Sequence, residues 1–91
     1  MKKHSANSDL LAEAARTVDG RRKSYGDPVL FFENVARRWS ITLGRTVTPA
    51  EAVLCMMDLK LTRLCHDPRH RDSVVDLVGY AAVLREVTGQ E

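Results

Sequence analysis

The 91-residue chain has no run of 18 apolar residues, so no part of it reads as a membrane span. Met1 to Leu11 opens with two lysines but lacks the apolar stretch of a signal peptide. No membrane partner is expected, and the protein is expected to be cytoplasmic. An excess of one charge is also missing. Fourteen Lys and Arg stand against twelve Asp and Glu, a net +2 too even to require a nucleic-acid partner. Cysteine is scarce, and Cys55 and Cys65 fall on one expected helix, about 15 Å apart, which rules out a bond between them. Cys65, His66 and His70 lack the second ligand pair of a zinc site, so a helix end and its loop are the simpler reading. No segment alternates apolar and polar residues as a strand does, and there are no repeats.

What is present is ordinary globular composition, 44% apolar and 29% charged. Area scaling for this mass gives about 5,300 Å² exposed when folded, about 64% of the unfolded surface being buried. That limited burial makes a helical homo-oligomer a natural way to complete the fold. The expected organisation is a disordered N-terminus, 1–7, and a single helical domain, 8–91.

Four helices are predicted. The first is capped at Ser8, carries Leu10, Leu11, Ala14 and Val18, and stops at Asp19-Gly20. A basic linker, Arg21 to Gly26, follows. Asp27 caps the second, with Pro28 at its first position and an apolar stripe of Phe32, Val35, Trp39 and Leu43 ending at Gly44. Thr48-Pro49-Ala50-Glu51 is a capping box that opens the third, which runs to about Cys65. The fourth spans about Arg71 to Val87. Short connections between four helices imply an all-α, four-helix antiparallel bundle.

The third helix is apolar over most of its circumference, which suits a core or a subunit interface. Lys60 and Arg63 are neighbours on it and point toward protein, so each needs a counter-charge. Asp72 and Asp76, i and i+4 on the fourth helix, offer one. A Mg²⁺ ion on the same two carboxylates is the alternative, and a plain buried ion-pair network competes with both. Gly79 costs close to 1 kcal/mol in a helix interior, which points to close approach of a backbone or a ligand. Arg21, Tyr25, Trp39 and Tyr80 are candidate ligand contacts, while Glu33 and Arg37 can form a surface pair. DNA reading by a helix-turn-helix is disfavoured, because Val53 to Leu64 is too apolar to face a groove.

The ordered pieces Arg21 to Pro28, Asn34, Trp39, Met57 to Arg63 and Asp72 to Ala81 resemble a family of small, largely uncharacterised phage and prophage domains. That family is distantly similar to the MazG-like all-α nucleotide pyrophosphohydrolases, which are four-helix units that dimerise or tetramerise. The resemblance implies a nucleotide ligand, a host-cytoplasmic setting, Mg²⁺ on Asp76 and Asp72, and a catalytic set of Asp72, Asp76 and Glu33. It also implies phosphates contacted by Lys60, Arg63 and Arg21. This chain departs from the MazG-like pattern. Ser73-Val-Val-Asp76 stands where Glu-x-x-Asp is expected, and the Glu-Glu-x-x-Glu motif has no counterpart. Three functions follow as expectations: a Mg²⁺-dependent pyrophosphohydrolase, a binder that sequesters a nucleotide signal used in host defence, and a structural interaction module.

Overall fold

Each helix boundary has a local cause. The computed structural model describes residues 6–89, with α1 at Ala6–Tyr25, α2 at Pro28–Leu43, α3 at Pro49–His66 and α4 at Arg71–Val87. No strand occurs among the described residues. At the start of α2 the Asp27 carboxylate accepts the Val29 N–H at 2.8 Å, and Gly44, at φ 71°, closes the far end. The capping box of α3 is reciprocal: Thr48 Oγ1 accepts the Glu51 N–H at 3.1 Å, and Glu51 accepts the Thr48 N–H at 2.9 Å. The cap of α4 is His70, whose Nδ1 lies 3.3 Å from the Ser73 N–H and 2.8 Å from its Oγ. Nothing in the sequence pattern marked that histidine as a cap.

The first helix departs from expectation. It does not stop at Asp19-Gly20 but continues through the basic segment to Tyr25. Gly20 keeps a helical backbone, and the Arg-Arg-Lys run that follows consists of good helix formers lying near the negative end of the macrodipole. The true stop is Gly26, at φ 83°, whose N–H bonds to the Arg22 carbonyl at 2.9 Å. Of the expected disordered stretch 1–7, residues 1–5 lie outside the described residues, while Ala6 and Asn7 stand in the first turn of α1.

The helices do not alternate direction as a simple antiparallel bundle requires. α3 and α4 do run antiparallel, with Lys60 beside Asp76 and Arg63 beside His70. Between α1 and α4, however, the pairs Glu13–Arg71, Val18–Gly79 and Arg22–Glu86 advance together, so these two helices are parallel. α4 packs against all three other helices, whereas α1 and α3 do not meet.

The core gathers at one end. Phe32 and Ala36 of α2, Val47 of the loop, Ala52 and Val53 of α3 and Val83 of α4 are buried together, with Trp39, Met56, Tyr80 and Leu84 packed around them. Ser40 pins the α2–α3 turn, accepting the Val47 N–H at 2.8 Å while donating to the Ala36 carbonyl at 2.7 Å. Gly79 has the role its cost implied: a Cβ there would stand 3.2 Å from Val18 Cγ2, so α1 approaches α4 closely. Both cysteines are free thiols at the surface.

Candidate functional site

A cleft of about 440 Å³ opens where α1 and α2 meet above α4. Its lining gathers every aromatic side chain of the protein: Tyr25, Phe31, Phe32, Trp39 and Tyr80. The rings touch in series. Tyr25 and Phe31 have centroids 5.6 Å apart, Phe31 and Phe32 meet edge-on at 5.3 Å, and Phe32 meets Tyr80 at 6.3 Å. Phe32 belongs to the core, but Phe31 is 39% exposed and Tyr25 65%. The ring series therefore runs from the interior out to solvent. Val18, Val35, Met56 and Val83 complete the apolar walls.

Two cations edge the cleft. Arg21 places its guanidinium 5.8 Å from the centroid of the Tyr80 ring, an attractive position for a cation over a π face. Arg22 lines the same cleft and holds both Glu86 oxygens, at 2.9 and 3.1 Å. The continuation of α1 to Tyr25 makes this possible, because it sets Arg21, Arg22 and Tyr25 on one rigid turn instead of a loose loop.

Behind Arg21 lies Asp76. Its Oδ1 accepts from Arg21 Nη2 at 3.0 Å and its Oδ2 faces Lys60 Nζ at 3.0 Å, with the carboxylate 14% exposed. One α4 carboxylate thus links α1 and α3. The expected pairing of Lys60 with Asp76 is present, but Arg63 turns instead to His70, 3.1 Å from its Nε2. Asp72 is exposed and has no ion pair among the described residues, and Glu33 is likewise exposed on α2. Arg37 bonds to Asn34 at 2.8 Å and not to Glu33.

The structure therefore brings Arg21, Tyr25, Trp39 and Tyr80 to one cleft, with Asp76 and Lys60 just behind it. It leaves Arg63, Asp72 and Glu33 apart from it. Phe31 and Phe32 complete the ring series and were not singled out as ligand contacts. The available signal was an adjacent aromatic pair in the first turns of α2, just past the Tyr25–Pro28 bend. Among the described residues, no three His, Cys, Asp or Glu side chains come together as metal ligands. No described helix is long and apolar enough to cross a membrane.

A family model described as a domain of unknown function, DUF6378, matches residues 9–88. The chain belongs to this family. It is 34% identical over 80 residues to the Gene 55 protein of Mycobacterium phage L5, covering 86% of this chain and 51% of that protein. With the Gene 55 protein of Mycobacterium phage D29 it shares 30% identity over 82 residues, 89% of this chain and 54% of the relative. The chain thus spans about half the length of these phage relatives. No solved structure matches it. The DUF6378 match includes the whole cleft and the Asp76 network.

Proposed function

We propose that the cleft binds a nucleotide or a nucleotide-derived small molecule. The observation that carries this reading is the convergence of five aromatic rings and two arginines on one cavity. The rings that line the cleft offer faces and edges on which a planar base can stack, and a phosphate at the rim meets guanidinium groups able to donate two parallel hydrogen bonds. The volume lies within the ordinary range for small-molecule sites, about 300–1,000 Å³.

Hydrolysis of the MazG-like kind requires Mg²⁺ on Asp76 and Asp72, aided by Glu33. Mg²⁺ needs hard oxygen ligands in near-octahedral array. Here both Asp76 oxygens face cations, and Asp72 and Glu33 project to solvent. This donor set does not fit the ion, and the geometry favours binding without turnover. The phage origin of the two Gene 55 relatives supports one setting for such a binder, the sequestration of a nucleotide signal used in host defence.

The chain carries its own reporter, since Trp39 is its one tryptophan and lines the cleft. Mono-, di-, tri- and cyclic nucleotides, each with and without Mg²⁺, are expected to include one that changes Trp39 fluorescence and raises the melting temperature. A ligand at a hundredfold excess over its Kd adds about 2.7 kcal/mol of apparent stability. Arg21→Ala or Arg22→Ala should weaken that binding about tenfold, the loss of one charge-assisted contact. Intact recovered ligand supports the binder, whereas Mg²⁺-dependent cleavage restores the enzyme. If no nucleotide moves either signal, the Arg21–Asp76–Lys60 network is a structural tie and the reading fails.

A further inference from the structure

The two arginines at the cleft have hydrogen bonds to offer but little spare charge. Arg22 bonds both Glu86 oxygens through Nη2, and Arg21 bonds Asp76 through its own Nη2. Among the described residues, neither guanidinium uses its Nη1 or Nε in a bond to the protein, so each keeps donors for a phosphate oxygen. Their charge is another matter. With Lys60 on the second Asp76 oxygen, three cations share two carboxylates, which leaves a single net positive charge. Lys23 and Asp27, the next charges along the chain on either side of Tyr25, are of opposite sign.

The walls add a second restriction. Apart from the two arginines, the lining contains no Asn, Gln, Ser, Thr, His or acidic side chain. Its other polar side-chain groups are the Tyr25 and Tyr80 phenols and the Trp39 indole N–H. A base edge therefore meets carbon over most of its outline, and an apolar wall rejects a differing polar substituent only weakly. Selection falls instead on the charged end of the ligand.

Resting on the nucleotide reading above, we propose that the cleft takes nucleotides with a single phosphate group, free or cyclised, and selects by phosphate number and not by base. A phosphate monoester carries about −1.5 to −2 charges at pH 7, which the one net positive charge and the unused guanidinium donors offset in large part. Each further phosphate adds negative charge that no remaining cation meets. It also brings that charge toward Glu86 and Asp76, like charges whose own cations it must share. The carboxylates that hold the arginines in place thus set the limit on phosphate number. A single phosphate leaves no phosphate–phosphate bond to cleave, so this ligand class parts from the MazG-like reaction.

Isothermal titration calorimetry at low salt compares AMP, cyclic AMP, ADP, ATP and GMP. Mg²⁺ is left out, because it would neutralise part of the triphosphate charge. AMP or cyclic AMP should bind about tenfold more tightly than ATP, with ADP between them, and the tighter of the first two separates monoester from diester. Exchanging adenine for guanine should change affinity by less than about threefold. Glu86→Gln removes one negative charge and keeps a hydrogen-bond acceptor for Arg22, so the tenfold gap should narrow to about threefold. Raising salt should narrow it as well. Should the variant lose helix content by circular dichroism, the salt series decides in its place. ATP bound as tightly as both AMP and cyclic AMP overturns this inference and leaves the nucleotide reading standing. A gap that neither Glu86→Gln nor salt changes overturns it too, as does a base exchange that costs more than the added phosphates. If none of these nucleotides binds, the inference and the reading beneath it fall together.

Discussion

Asp76 and Asp72 are one turn apart on the same helix, and their surroundings could hardly differ more. Asp76 is 14% exposed and neutralises two cations from different helices, while Asp72 stands in solvent. Removing Asp76 leaves Lys60, itself only 25% exposed, without its counter-charge. Asp76→Ala is therefore expected to lose about 1–2 kcal/mol in urea denaturation, discounted from the fully buried case for the exposure of Arg21. Asp72→Ala should stay within about 0.5 kcal/mol of wild type. Equal losses would mean that the ion pairs contribute nothing. The sequence set Lys60 and Arg63 against Asp72 and Asp76, because a charge on an apolar helix needs a partner, and of these only Lys60 and Asp76 pair. It did not separate Asp72 from Asp76, since both fall on one face and only the crossing of α1 over α4 distinguishes them.

Gly79 can be tested at the same scale. Alanine is worth about 1 kcal/mol more than glycine in a helix. The added Cβ, however, meets Val18 Cγ2 at 3.2 Å, and a β-branched side chain has little freedom to turn away. Gly79→Ala should thus stabilise the Val18→Ala protein by nearly the full propensity difference and the wild type by distinctly less. Thermal denaturation of the four proteins of this cycle measures the coupling.

At the scale of elements, α2 and α3 were legible almost to the residue because each begins with a polar cap that satisfies a backbone N–H, while α4 was placed by its apolar periodicity, its His70 cap unrecognised. The end of α1 was not legible. Asp19-Gly20 has the composition of a stop, but a glycine ends a helix only when the chain takes up its left-handed freedom, and here Gly26 does so while Gly20 does not. To the helix-forming Arg-Arg-Lys run the fold adds tertiary partners, Asp76 and Glu86, that no local pattern displays. No atom lies within 4 Å of a Cβ placed on Gly20. Gly20→Ala should accordingly stabilise the protein by up to about 1 kcal/mol. A destabilised variant would mean that residue 20 is not in a helix interior.

At the scale of the molecule, helix content was readable and helix direction was not. Apolar periodicity identifies which face of a helix is covered but says nothing about which neighbour covers it. The parallel course of α1 and α4 thus rests on pairs such as Glu13–Arg71, 58 residues apart in sequence. The candidate site shared that limit. Its aromatics were visible singly, yet their meeting in one cleft depends on how α1 and α2 bend over α4.

That arrangement makes one wall of the cleft answer to ionic strength. α1 buries little apolar surface, with Ala14 its one fully buried described side chain, and three ion pairs tie it to α4: Glu13–Arg71, Arg21–Asp76 and Arg22–Glu86. Raising salt to 1 M shortens the Debye length to about 3 Å, and partly exposed pairs of this kind weaken accordingly. The α2–α4 core gains from the same salt if anything, because its contacts are apolar. Amide hydrogen exchange across a salt series should then show α1 losing protection while α3 keeps it. The cleft would widen from one side only, so salt becomes a dial on ligand access that leaves the rest of the fold untouched.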